Sequence, residues 1–123
     1  MRYQISFGAF GPLMRLIGLW KSNSYVEVDR DRLSARMGWA FRTTLPLSSI
    51  RSVHPFVGIP GGIGVHGFRG RYLVNGAATG IVSIEVEPTA PATMLGVPVK
   101  LSRLSVSLED PGRFLREVGD QVA

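Results

Sequence analysis

Alternation of apolar and polar side chains between residues 24 and 53 is the feature that most constrains the fold of this chain. Successive side chains of a β-strand point to opposite faces, so a strand with one buried face has an apolar residue at every second position. The pattern predicts an antiparallel meander in which each strand is buried on one side and solvated on the other. The predicted inward positions are Val26 and Val28, then Leu33, Ala35, Met37 and Trp39, then Phe41, Thr43 and Leu45.

Turn-forming residues predict where the other strands begin and end. Pro46 ends the third run, because proline cannot donate a backbone hydrogen bond to a neighbouring strand. Further strands are predicted at 71–74, at 81–87 and in a last segment that ends near Leu108. The intervening segment 88–98, which is rich in proline, threonine, alanine and glycine, is predicted to be a loop.

The apolar run 5–20 needs a separate test, because it could be taken for a signal or an anchor. It is too short for a membrane-spanning helix, which needs about 20 apolar residues. It also contains Pro12 and Arg15 and lacks a small-residue cleavage site. We predict one or two strands joined by a turn at Gly11 and Pro12, and a role for this segment at a membrane surface stays open.

The chain is predicted to close with one helix at about 111–122. Asp110 is a suitable N-cap, and Pro111 stands at the first helical position, where its missing N–H has no cost. An apolar stripe at helical spacing predicts that this helix packs against the sheet. The stripe consists of Phe114, Leu115, Val118 and Val122.

Length and charge restrict the class of protein further. With 123 residues and no cysteine, the chain is expected to form a single domain, residues 1–123, without disulfides. The net charge is +5, and residues 1–74 carry ten basic residues against three acidic ones. A basic face that meets phosphate, acidic lipid or an acidic partner is one interpretation, and a solvated sheet face with outward arginines is the other.

Together these elements resemble a bacterial pleckstrin-homology-like (PH-like) domain. The resemblance lies in the stretch from Val26 to Met37, which leads into the segment 45–53, and in the ending 104–115. It implies a mainly β fold, a seven-stranded antiparallel barrel or sandwich with strands within about 2–108, closed by the C-terminal helix. It also implies a bacterial, cytoplasmic protein, with association with a membrane as the alternative.

The resemblance implies a binding module for phosphoinositides, peptides or proteins rather than an enzyme. In the eukaryotic family, lysine and an Arg-x-Arg pair around the first hairpin hold the phosphoinositide. Here Arg30 and Arg32 have that spacing, but Asp29 and Asp31 flank and separate them, and the hairpin is a later one. The lipid-binding motif of the family is therefore not carried over.

Motifs that carry chemistry are weak in this sequence. Residues 62–67 match G-x-G-x-x-G, but a strand rather than a helix follows, so a dinucleotide site is not indicated. The same glycine-rich loop could still form an anion-binding nest beside His66, Arg69 and Arg71. The two histidines lack the further ligands that a metal site needs, and no serine has a catalytic partner. We predict no catalytic residue, no metal and no cofactor.

Two functions are therefore expected of a non-enzymatic module. The first is binding of a protein or peptide, including self-association into a homo-oligomer through strand edges. The second is binding of an anionic lipid or another phosphate-bearing ligand through a basic face, and nucleic acid ranks below both. Convergence of the arginines on one patch would favour the second. The candidate contact residues are His66, Arg69, Arg71, Arg36 and Arg42, and Arg51 belongs to the same test.

Overall fold

Nine strands form a single curled sheet in the part of the chain that the structure describes, a computed structural model covering residues 1–8, 11–19, 21–56, 64–68, 70–75, 77 and 79–122. The predicted mainly β fold with a C-terminal helix is confirmed. The strands are β1 (Arg2–Gln4), β2 (Ser24–Val28), β3 (Arg32–Met37), β4 (Phe41–Pro46), β5 (Ile50–Pro55), β6 (Gly64–Phe68), β7 (Arg71–Asn75), β8 (Ile81–Met94) and β9 (Val97–Ser107). The helices are α1 (Gly11–Leu16) and α2 (Pro111–Val122), with single 3-10 turns at Lys21–Asn23 and Leu47–Ser49.

The antiparallel meander of β2, β3 and β4 follows the predicted register. Val26 pairs with Ala35, which pairs with Thr43, and all three are buried. Trp39 is the exception, since we predicted it to face inward and its side chain is 60% exposed. The reason is local: β3 ends at Met37, and a tight turn in which the Ala40 N–H bonds the Met37 carbonyl places Trp39 at its tip.

The predicted loop 88–98 is wrong, because β8 continues to Met94 and β9 begins at Val97. Only Leu95 and Gly96 form the turn. Ala90 and Ala92 are buried on the core face, so this segment contributes to the sheet despite its prolines. An interruption in register between Glu85 and Ala90 bends β8, and its two halves pair with β5 and β4 in turn.

The sheet curls far enough to bring the residues that follow β1 against the end of β9. Ile5 forms an isolated bridge with Leu108, and the Ser6 N–H donates to the Ser107 carbonyl at 3.0 Å. One pairing differs from the antiparallel expectation, since β7 runs parallel to β9.

The N-terminal prediction of strands joined by a turn is also wrong over 11–16, which forms the short helix α1. Pro12 is compatible with a first helical turn, where its missing N–H is not needed. Met14 and Leu19 point into the core, at 6% and 3% exposure, and attach this segment to the sheet.

Helix α2 covers the sheet through its apolar stripe. Phe114 and Val118 are fully buried, and the Tyr3 and Phe114 rings meet edge to face with centroids 5.1 Å apart. Asp110 accepts a hydrogen bond from the Arg113 backbone N–H at 3.1 Å, which is the predicted N-cap.

Candidate binding surface

Large apolar side chains are exposed together where three connections of the chain meet. They come from the end of α1, from the β3–β4 turn and from the β8–β9 turn. We call this set the apolar end; its members and exposed fractions are Leu16 (83%), Ile17 (52%), Trp39 (60%), Leu95 (53%) and Val97 (58%).

Hydrogen bonds hold the three connections against one another. The Trp39 indole N–H donates to the Ile17 carbonyl at 2.7 Å, which joins the β3–β4 turn to α1. The Leu95 N–H donates to the Ala40 carbonyl at 2.8 Å, which joins the β8–β9 turn to the same loop. Gly38 is required at this junction, because its φ is +52° and an added Cβ would lie 2.6 Å from the Leu19 side chain. The apolar end is therefore one ordered surface.

Leu95 occupies a backbone conformation that leucine rarely adopts. It has a φ of +52° and is followed by Gly96 at +80°, the pair of positive values typical of a type I′ hairpin turn. Asparagine or glycine is preferred at such a position, and another side chain there costs roughly 1 kcal/mol. An exposed leucine in a strained position adds nothing to the core, which points to a use outside the fold.

Two of the predicted contact residues, Arg36 and Arg42, border the apolar end. They are direct cross-strand partners on β3 and β4, next to the buried pair Met37 and Phe41, where β3 ends and β4 begins. Arg36 donates to the Gly38 carbonyl at 3.2 Å, whereas Arg42 makes no hydrogen bond or ion pair with the described residues. Like charges directly opposite one another destabilise a sheet, so this pair also costs the fold some stability.

The other predicted residues lie elsewhere. Arg71 is on β7, paired in register with Arg103 of β9, and Arg51 is engaged by Glu87 at 2.6 Å. His66 lies on β6, where its backbone pairs with Leu73, so the glycine-rich loop prediction is wrong over 64–68. Arg69 lies outside the described residues. The arginines therefore divide between two regions.

The second region contains a charged cluster on the outward side of β5, β8 and β9. Glu85 accepts hydrogen bonds from Arg103 Nε at 2.7 and 3.0 Å, and His54 Nε2 lies 3.2 Å from its carboxylate. Burial alone would raise the pKa of the Glu85 carboxyl, but the bonds from Arg103 and His54 outweigh it and hold that pKa below its ordinary value. Glu85 is therefore an anion at neutral pH.

The second region also contains two serines beside the charged cluster. Ser83 and Ser105 bond each other at 2.8 Å, while the His54 ring contacts Glu85 and the Pro55 carbonyl rather than either hydroxyl. Within the described ranges, no group of three or more potential ligand residues could hold a metal ion. In the same ranges, no helix has both the length and the apolar character needed to cross a bilayer.

Sequence reasoning identified the arginines but missed the apolar end. From the sequence, Leu16, Leu95 and Val97 would be expected in the core, but in the fold their side chains are more than half exposed. The pair Leu95-Gly96 between two alternating segments could have indicated a two-residue turn, but the neighbouring prolines favoured a loop.

No protein-family model matches the chain, and neither a curated protein nor a solved structure is significantly similar to it. The resemblance to PH-like domains stays a prediction.

Proposed function

We propose that this protein is a non-enzymatic module that attaches to acidic membrane surfaces through the apolar end, with Arg36 and Arg42 at its border. The observation that carries the proposal is the position of five exposed apolar side chains beside two cross-strand arginines. Their three connections are joined through hydrogen bonds to the β3–β4 turn. Apolar tips enter the acyl boundary of a bilayer while basic side chains stay at the headgroups.

Charge favours an acidic lipid surface over an ordinary protein partner. The apolar end is built from three parts of the chain, and none contains aspartate or glutamate: residues 1–26, 33–84 and 88–108 have no acidic residue at all. Arg15 on α1 is also exposed and adds a third positive charge near Leu16. The three connections that form the surface therefore carry apolar and basic residues and no acidic one, which matches anionic headgroups above hydrocarbon.

The expected free energy of membrane binding is large enough for reversible attachment to the bilayer surface. Full burial of a large apolar side chain contributes about 1.5–3 kcal/mol, and each arginine near an acidic surface contributes about 1 kcal/mol. Half burial of three side chains together with three arginines gives on the order of 5–7.5 kcal/mol before the cost of association. This corresponds to transient binding at the surface.

Co-sedimentation with vesicles tests the proposal. The protein should bind vesicles of 30 mol% phosphatidylserine in phosphatidylcholine at least about tenfold better than pure phosphatidylcholine. Binding should weaken between 0.05 and 0.5 M salt, because the Debye length falls roughly threefold over that range. Arg42→Gln should reduce binding about fivefold, since it removes roughly 1 kcal/mol of attraction. Arg116→Gln removes the same charge from the exposed face of α2 and serves as the matched control, with little change expected.

Equal binding to both vesicle types, or equal losses in Arg42→Gln and Arg116→Gln, would contradict the proposal. Absence of vesicle binding together with a concentration-dependent increase in mass would instead support self-association through the same surface. Size-exclusion chromatography coupled to light scattering distinguishes that outcome.

A further inference from the structure

A groove remote from the apolar end has the composition of an anion site. It has a volume of about 240 Å³ and lies between β6, β7 and β9. Apolar and cationic groups share its walls, which include Phe56, Leu73, Arg71, Arg103 and Ser105. Its place in the sheet is set by the parallel pairing of β7 with β9.

The two arginines of the groove can reach the same ligand. Arg71 and Arg103 are register partners on adjacent parallel strands, so their Cα atoms are about 4.8 Å apart and their side chains leave the same face of the sheet. Arg71 makes no hydrogen bond or ion pair with the described residues. Arg103 uses only its Nε toward Glu85, and its two terminal amino groups have no partner in the described part of the chain.

Glu85 gives Arg103 a fixed orientation. Both carboxylate oxygens lie within 3.0 Å of Arg103 Nε, so the guanidinium plane is held while its outer N–H groups stay available. The cluster still has an excess of positive charge, because Arg71 and Arg103 face one carboxylate. Planar guanidinium groups bind carboxylates and phosphates through paired hydrogen bonds.

A buried hydroxyl pair supplies one more donor. Ser83 and Ser105 are each 2% exposed, and their oxygens are 2.8 Å apart. Two hydroxyls have two protons, and their mutual bond uses one of them. Ser105 lines the groove, so the second proton can be donated toward a bound oxygen atom.

From these contacts we propose that the groove binds a small organic anion, in which a carboxylate or phosphate lies between Arg71 and Arg103 and an apolar part packs against Phe56 and Leu73. The ligand is small because the groove is below the size that holds drug-like molecules, roughly 300–1,000 Å³. The site is separate from the proposed membrane surface, since the two share no residue and use opposite ends of β9: Val97 begins that strand, whereas Arg103 and Ser105 lie near its other end.

Titration of benzoate, phenyl phosphate and inorganic phosphate, followed by amide chemical shifts at constant ionic strength, tests the site. We expect a Kd on the order of 1 mM for the aromatic anions, with shifts concentrated at 71–73 and 103–105. Inorganic phosphate should bind several-fold more weakly if the apolar wall contributes. A difference between benzoate and phenyl phosphate identifies which anion the groove prefers.

Two substitutions should change the affinity for benzoate in opposite directions. Arg71→Gln should weaken benzoate binding at least about fivefold, because a charge-assisted bond is lost. Glu85→Gln should strengthen it, because the competing negative charge is removed while a side-chain oxygen still faces Arg103. Arg51→Gln is the matched control, since Arg51 is exposed on β5, outside the groove, and is paired with Glu87. Thermal melts confirm that each variant is folded.

Absence of saturable shifts up to about 50 mM of all three anions, a range in which even a 10 mM site would saturate, would overturn the proposal. Equal effects of Arg71→Gln and Arg51→Gln would overturn it as well, because binding would then reflect net charge alone.

Discussion

Helix α2 and the apolar end are two places where this sheet presents apolar side chains beside arginines, and they are used in opposite ways. Under α2, Phe114 and Val118 are fully buried, and Arg113 lies over the Tyr3 ring with its guanidinium carbon 4.6 Å from the ring centre. At the apolar end, Leu16 is 83% exposed and Arg42 has no partner among the described residues.

The difference separates what the fold requires from what it leaves available. Arg113 also donates to the Arg2 carbonyl at 2.7 Å, so this arginine fastens the helix to the first strand. The apolar end contributes little to the core, and the strained Leu95 within it and the opposed arginine pair at its border both lower stability. Features that cost stability without adding to the core are expected at binding surfaces.

Truncation under the helix should have the largest effect. Phe114→Ala removes a fully buried ring that contacts Tyr3, and we expect a loss of about 3–5 kcal/mol in the free energy of unfolding. Urea denaturation measures it. A loss below about 1 kcal/mol would show that α2 is not fastened to the core as described, and the contrast between the two regions would disappear.

The hydroxyl of Tyr3 should have an intermediate effect. It donates to Glu117 at 2.9 Å, so Tyr3→Phe should cost about 1–2 kcal/mol at pH 8. Burial first, and then the bond to Glu117, raises the pKa of Tyr3 from 10.0 to about 12. The raised pKa means that this stabilisation is complete below pH 10 and is lost as the pH rises toward 12.

The pH dependence sharpens this prediction. Above pH 10 the unfolded wild-type chain ionises at Tyr3 and the phenylalanine variant cannot, so the difference in stability should shrink by about 1.4 kcal/mol per pH unit. Urea titrations at pH 8, 10 and 11 measure it. A difference that stays constant across this range would contradict the buried hydrogen bond to Glu117.

Polar substitution at the apolar end should have the smallest effect on stability. Leu16→Ser changes a side chain that is 83% exposed, so the free energy of unfolding should change by less than about 0.5 kcal/mol. Vesicle binding should nevertheless fall several-fold. A large loss of stability would mean that Leu16 belongs to the core and not to a binding surface.

Patterns among neighbouring residues were sufficient to predict the β2–β4 meander and helix α2. Val26, Leu33 and Ala35 alternate with polar neighbours, and Asp110 with Pro111 marks the start of α2. These features depend on residues close in sequence, so their outcome could be predicted from the chain alone.

Other features depend on distant parts of the chain. The parallel pairing of β7 with β9 joins residues about thirty positions apart, and no local pattern specifies it. Prolines in 88–98 suggested a loop, yet Ala90 and Ala92 find core positions against neighbouring strands. Trp39 was predicted to be buried because its spacing from Met37 is two, but the turn begins between them.

The candidate site was predictable only in its charged half. Arg36 and Arg42 are outward by alternation, and their register brings them together. Exposure of Leu16, Leu95 and Val97 depends on whether another element covers them, and sequence spacing does not contain that information.

A substitution at Leu95 distinguishes an apolar end that binds membranes from one that only supports the fold. Leu95→Asn places a residue suited to a φ of +52° in the β8–β9 turn while it removes an exposed apolar side chain. The account predicts an unfolding free energy that rises by roughly 0.5–1 kcal/mol, together with several-fold weaker binding to phosphatidylserine vesicles. A more stable variant that binds these vesicles as well as wild type would contradict it.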